Sequence, residues 1–96
     1  MPDRFRGVPH ISKHITTRFI DDEAFLMNLE NLKTYYFNET ASRIWSLACQ
    51  GKTVDEIVRF LIAHYDVSHE ACLDEVSKIT EAWVSEHLID FVEDNA

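Results

Sequence analysis

Glycine, proline and cysteine each occur only twice in the 96 residues. Both prolines, Pro2 and Pro9, lie in the first ten residues, so proline interrupts no helix or strand in the rest of the chain. The isolated glycines form no glycine-rich loop that would hold a phosphate. Cys49 and Cys72 are far apart and lie within helical patterns, which indicates reduced core thiols and not a disulfide or a metal pair.

Long hydrophobic runs are also absent. No apolar segment approaches the length of a membrane span, and the N-terminus lacks the apolar stretch of a secretory signal. The sequence therefore predicts a cytoplasmic protein with no membrane partner. A hydrophobic content of 46% and a charged content of 27% are typical of a globular protein, and the length suits one domain.

Basic residues are scarce. The chain has 9 of them against 17 acidic residues, and its formal net charge is -8. Proteins that bind nucleic acid neutralise phosphates with Lys and Arg, and the basic residues here are scattered along the chain. The charge balance therefore predicts that nucleic acid is not a partner.

Groups that could converge for catalysis are few. His10 and His14 have the spacing of a helical metal pair, but they lie beside Pro9 and before a predicted strand, where the two side chains would be too far apart to bind one metal. His64 and His69 have no cysteine at ligand spacing, and Ser46, Ser68 and the two cysteines have no partner histidine at a recognisable spacing. The sequence predicts no catalytic residue, no metal site and no cofactor, and hence a protein that is not an enzyme.

The first half of the chain predicts three strands. Residues 1–13 mix charge, proline and glycine, which indicates a flexible N-terminal arm. Residues 14–20, 24–29 and 33–37 alternate apolar and polar side chains with short turns between them, which predicts an antiparallel meander. The third predicted strand lies at an edge of this sheet, where no proline blocks pairing with a further strand.

The second half predicts three helices. Asn38 is placed to cap the first, which ends at Gly51, and residues 53–56 form a capping box for the second. The third begins after Ser68 and extends to about His87, followed by a packed tail or a strand at 88–92. The fold class is therefore α+β, with one domain over residues 14–92 and an acidic tail at 93–96.

A resemblance to a known family begins at residues 34–45, which read Thr-Tyr-Tyr-Phe-Asn-Glu-Thr-Ala-Ser-Arg-Ile-Trp. This resembles the signature of the PqqD-like family, an aromatic strand followed by Asn and a helix of the form Glu-x-x-x-x-Ile-Trp. The family comprises pyrroloquinoline quinone biosynthesis chaperones and RiPP recognition elements, which bind precursors of ribosomally made, modified peptides. The similarity spans about Ile15 to Ile89. It departs at Phe37, where an aliphatic residue is usual, and at His87, where glycine is usual.

The resemblance implies a winged-helix-like fold, with a three-stranded antiparallel sheet packed on three α-helices. It implies a non-catalytic chaperone for natural-product biosynthesis. The leader of a precursor peptide adds as a strand beside the third predicted strand, rests on the third helix and is presented to a modifying enzyme such as a radical SAM protein. The residues expected to bind the peptide are Lys33, Thr34, Tyr35, Tyr36, Phe37, Leu73, Ser77, Thr80 and Val84.

Within that set, alternation places Tyr35 and Phe37 on one face of the strand, where core packing is their commoner role. Thr34 and Tyr36 point the other way and are better placed to meet a ligand. The four helix residues form a small, uncharged stripe, which indicates either a groove wall or a surface covered by the tail at 88–92.

Two other functions are compatible with this order of elements. One is a winged-helix nucleic-acid-binding or transcription-associated module, which the charge disfavours. The other is a protein–protein interaction subunit that binds no peptide. The sequence leaves open whether the chain is a monomer or a homodimer, because exposed sheet edges also promote self-association.

Overall fold

The computed structural model describes residues 7–92, which form five strands and three helices. In chain order these are β1 (Val8–Ile11), β2 (Ile15–Ile20), β3 (Glu23–Asn28), β4 (Thr34–Tyr36), α1 (Glu39–Cys49), α2 (Val54–His64), α3 (His69–Ser85) and β5 (Ile89–Val92). The predicted α+β class is confirmed. None of the helices in this described range is long and apolar enough to cross a lipid bilayer.

Strands β2, β3 and β4 form the antiparallel meander that the sequence predicts, with β3 in the centre. Alternation gives the sheet two faces. The inner face carries Ala24 and Leu26, which are buried in the core beneath the helices, and Ile15 joins them from β2. The outer face carries Phe25 and Met27, which are exposed. One edge of the sheet is β4, since its only strand partner within residues 7–92 is β3.

The predicted flexible arm at residues 1–13 needs a correction. Residues 8–11 form β1, which pairs antiparallel with β5 in a second, two-stranded sheet, with Pro9 opposite Phe91 and Ile11 opposite Ile89. A four-residue strand that contains proline shows no clear alternation, and its partner is about 80 residues away in sequence, so local patterning cannot reveal it. Residues 1–6 and the predicted acidic tail at 93–96 lie outside the described residues.

The three helices begin where the capping residues predict. The Asn38 side chain accepts a hydrogen bond from the Ala41 N–H at 2.9 Å, and Ser68 caps α3 in the same way. Thr53 and Glu56 form the reciprocal capping box of α2. The helices share one apolar core with the inner face of the sheet, and α2 packs mainly on α3. The Phe37 ring, which follows β4, contacts Trp45 of α1 and Trp83 of α3.

The structure at the end of α3 explains how His87 can stand where glycine is usual. The Leu88 N–H donates to the Trp83 carbonyl at 2.9 Å and the His87 N–H to the Val84 carbonyl at 3.0 Å, which is the hydrogen-bond pattern of a Schellman cap. This cap requires a residue in the left-handed backbone conformation directly after the helix end, and His87 adopts it with a φ of 60°. The turn usually made by glycine is therefore preserved here by a histidine in a strained conformation.

Replacing His87 by glycine should raise the free energy of unfolding by about 0.5–1 kcal/mol. The left-handed conformation costs a non-glycine residue about 1–2 kcal/mol, and glycine avoids this cost. Part of the benefit is lost because glycine gives up more chain entropy on folding. Urea denaturation of His87→Gly and the parent measures the difference. His87→Ala is the control, since it keeps the strain and should not stabilise. A destabilised His87→Gly would contradict the strain at this position.

Candidate functional site

The free edge of β4 offers unpaired backbone groups. The Asn28 N–H donates to the Lys33 carbonyl at 2.8 Å, and the Phe37 N–H donates to the Ala24 carbonyl at 3.0 Å. In an antiparallel pair, every second residue directs its N–H and C=O groups toward the partner strand, and the residues between them direct these groups away. Thr34 and Tyr36 therefore point their N–H and C=O groups away from β3. Within residues 7–92, no turn, loop or other strand bonds to these groups.

A buried serine fixes the end of this edge. The Ala24 N–H donates to Ser42 Oγ at 2.7 Å, and the Ser42 hydroxyl donates to the Phe37 carbonyl at 3.0 Å. The hydroxyl thus takes the place of a direct ladder bond between β3 and the residue after β4. Because Ser42 belongs to α1, this bridge ties the helix to the sheet next to the free edge.

Helix α3 runs beside β4. The Phe37 ring stacks on Trp83 with centroids 5.1 Å apart, and Lys33 Nζ lies 3.4 Å from the Glu86 carboxylate. The C-terminal end of α3 is therefore near the start of β4, while Val76 and its neighbours lie near Thr40 and the start of α1. The space between β4 and α3 forms a groove, which we call the β4–α3 groove.

Two cavities of different chemistry lie near the two ends of the β4–α3 groove. At the start of β4 a polar cavity of about 370 Å³ is lined by residues that include His14, Glu30, Lys33, Tyr35, Glu86 and His87. At the start of α1 an apolar cavity of about 330 Å³ is lined by residues that include Thr40, Ile44, Leu61, Tyr65, Glu75 and Val76. The groove is therefore polar near one end and apolar near the other.

The flank of α3 that faces β4 carries Glu75, Ile79, Ala82 and Glu86. Glu86 pairs with Lys33, and Glu75 lines the apolar cavity with Thr40. Ile79 and Ala82 lie between them on the same flank, because residues three and four apart share one side of a helix.

The predicted stripe of Leu73, Ser77, Thr80 and Val84 does not lie beside β4 in the structure. The stripe lies on the opposite flank of α3, beyond the buried line of Cys72, Val76 and Trp83. Thr80 is only 2% exposed, and its hydroxyl donates to the Val76 carbonyl at 2.9 Å. Leu73 and Ser77 are partly buried, and Val84 is exposed. The burial of the first three residues of the stripe accounts for their lack of charge.

The β4 side chains are divided between the two faces as alternation predicts. Phe37 is buried and Tyr35 is half-buried on the inner side, while Thr34 and Tyr36 are exposed on the outer face. The Tyr36 hydroxyl donates a hydrogen bond to the Glu23 carboxylate, and this bond raises the pKa of Tyr36. Lys33 donates to Glu86, and this hydrogen bond and the negative charge of Glu86 raise the pKa of Lys33.

Sequence reasoning missed Ser42 and the Glu75–Glu86 flank. Ser42 lies one residue from an apolar stripe, and a serine there is commonly exposed, so its burial has no local signal. One weak signal for this flank was the opposite charge of Glu86, at the end of α3, and Lys33, at the start of the predicted edge strand. These two residues form an ion pair in the structure.

Comparisons with known proteins agree with this architecture. A family model described as Coenzyme PQQ synthesis protein D (PqqD) matches residues 23–89. No curated protein sequence matches the chain. A solved structure of TbiB1 in complex with the TbiA(beta) leader peptide is 29% identical, with a TM-score of 0.83 over 88% of this chain and 99% of that one. A lasso peptide synthetase B1 complexed with the leader peptide shares the fold at 14% identity, with a TM-score of 0.80 over 86% of this chain and 98% of that one.

Proposed function

The chain belongs to the PqqD family, and we propose from this premise that it is a peptide chaperone. It binds the leader segment of a ribosomally made precursor peptide and presents the precursor to a modifying enzyme, without catalysing a reaction itself. The observation that carries this proposal is the free edge of β4 beside the β4–α3 groove. The solved complexes of TbiB1 and of the lasso peptide synthetase B1 with leader peptides support it.

The leader adds to the sheet as a strand next to β4. The N–H and C=O groups of Thr34 and Tyr36 pair with its backbone, which supplies affinity that does not depend on leader sequence. Alternate leader side chains then point into the groove, and the others point to the outer face. An apolar leader residue fits the cavity beside Ile44 and Val76, and a polar one fits the cavity beside Lys33 and Glu86.

The charge of the groove selects among leaders. Glu30, Glu75 and Glu86 are among the residues that line its two cavities, and Lys33 is the one Lys or Arg among the described lining residues, in a chain of net charge -8. A leader with basic residues is therefore bound more tightly, and salt weakens this part of the attraction. The same charge disfavours the nucleic-acid alternative, because phosphate contacts need Lys and Arg.

A pair of α3 variants tests which flank holds the leader. Ala82→Glu places a carboxylate in the β4–α3 groove and should weaken binding about tenfold, because burying an unpaired charge costs about 1–3 kcal/mol or more. The measurement is calorimetry with the precursor peptide encoded beside this gene. Val84→Glu is the matched control, since both positions are exposed on the same helix but lie on different flanks.

The affinities of Ala82→Glu and Val84→Glu for the leader show which flank of α3 the leader contacts. We expect Val84→Glu to bind the leader as the parent does. Weakening by Val84→Glu alone would place the leader on the flank of Leu73 and Ser77, as the sequence predicts. Unchanged binding in both variants would contradict a leader lying against α3.

A further inference from the structure

The outer face of the sheet exposes several large apolar side chains. Exposed side chains of Ile20, Phe25, Met27 and Tyr36 cluster there, at 49%, 39%, 38% and 57% exposure. The Phe25 and Tyr36 rings are 5.1 Å apart, and the helices pack on the other side of the sheet. The solvated face of an antiparallel sheet is normally polar, and a contiguous apolar patch of this kind marks an interaction surface. We call these four side chains the outer patch.

One end of the outer patch is acidic. The β2–β3 turn places Asp21 and Asp22 next to Ile20, and Glu23 receives the hydroxyl of Tyr36. Arg18 is the basic residue opposite Phe25 in the register. A partner that covers the outer patch therefore meets negative charge at the turn, and Lys or Arg on that partner would complement it.

The outer patch is continuous with the edge that binds the leader. Tyr36 contributes its side chain to the patch and its backbone to the free edge of β4. A strand added beside β4 extends the same sheet, so alternate leader side chains lie next to Thr34 and Tyr36 on the outer face. A partner docked on this face contacts the chaperone and its leader together.

We propose that the outer patch docks the enzyme that processes the bound precursor, through an apolar surface with basic residues opposite Asp21 and Asp22. This inference rests on the proposed function, because the leader completes the surface. A second copy of this chain fits poorly, since it carries the same net charge of -8 and the same acidic turn. Four partly exposed side chains are also small beside the ~800 Å² per partner of a stable interface. The docking is therefore transient and is strengthened by the leader.

The test is a double variant, Phe25→Ser with Met27→Ser, titrated with the purified modifying enzyme encoded beside this gene. With the precursor present, enzyme binding should weaken about tenfold, because central apolar contacts carry most interface energy. Leader binding, measured by calorimetry without the enzyme, should stay within about twofold of the parent, because neither side chain lies on the free edge. Val84→Ser is the matched control, an equally exposed apolar residue away from the sheet.

Charge is tested by Asp21→Asn with Asp22→Asn. Both residues have positive φ angles, 51° and 26°, which Asn tolerates, so the turn keeps its shape. The association rate with the enzyme should fall several-fold at low salt, since charge complementarity acts mainly on the encounter rate.

A photo-crosslinking amino acid at residue 25 completes the test and removes the dependence on folding of the serine variants. Crosslinks from residue 25 to the enzyme, and none from residue 84, support the docking surface. Crosslinks between two copies of the chain, or equal enzyme binding by the serine variant and the parent, overturn it. If the parent binds no precursor, the proposed function fails; if the parent and the serine variant both bind the precursor and bind the enzyme equally, only the docking surface fails.

Discussion

Replacing Tyr36 by proline should weaken leader binding by about 10- to 100-fold while the sheet stays folded. The Tyr36 N–H points away from β3, so proline removes no bond of the β3–β4 ladder. It removes a donor to the added strand, worth about 0.5–1.5 kcal/mol, and its ring occupies the space that the strand would take. Calorimetry with the precursor encoded beside the gene measures the loss.

Two further variants isolate the backbone effect. Tyr36→Ala keeps the N–H and loses only the contacts with Phe25 and Glu23, so leader binding should change by less than about threefold. Tyr35→Pro lies in a ladder pair with Leu26 and should disrupt β4 itself, which NMR spectra of the free protein would report. Equal leader binding by Tyr36→Pro and Tyr36→Ala would contradict strand addition at β4.

The strands and helices around the site could be predicted because their signals are local. Alternation over a few residues identifies β2, β3 and β4, and the caps at Asn38, Thr53 and Ser68 mark the helix starts. The pairing of β1 with β5 has no such signal. It joins Pro9 to Phe91, and its stability depends on contacts that form only when the whole domain is folded.

The geometry of the candidate site was predictable on β4 but not on α3. The strand alternates, and its order in the meander makes it an edge, so Thr34 and Tyr36 follow from the sequence. A helix has two flanks beside its buried stripe, and the sequence does not indicate which one faces a given strand. That choice depends on how α3 lies relative to the sheet, and in the structure Trp83 of α3 stacks on Phe37.

Trp83 is also where the largest loss of stability is expected. Its ring is buried, stacks on Phe37 at 5.1 Å and meets the edge of Trp45 at 5.0 Å. Replacing Trp83 by alanine should lower the free energy of unfolding by about 3–5 kcal/mol, through lost burial and the cavity left behind. Urea denaturation of the variant and the parent measures this difference.

The same substitution should also affect the groove, because Trp83 holds α3 at its distance from β4. In conditions where Trp83→Ala remains folded, leader affinity should fall, since the wall that carries Glu86 is no longer fixed against Lys33. Trp83→Phe is the matched control: it keeps an apolar ring beside Phe37 and should cost less than about 2 kcal/mol, with leader binding retained. A stability loss below about 1 kcal/mol in Trp83→Ala would show that the aromatic cluster does not anchor α3. Weakened stability with unchanged leader affinity would show instead that the leader needs the edge of β4 but not the position of α3.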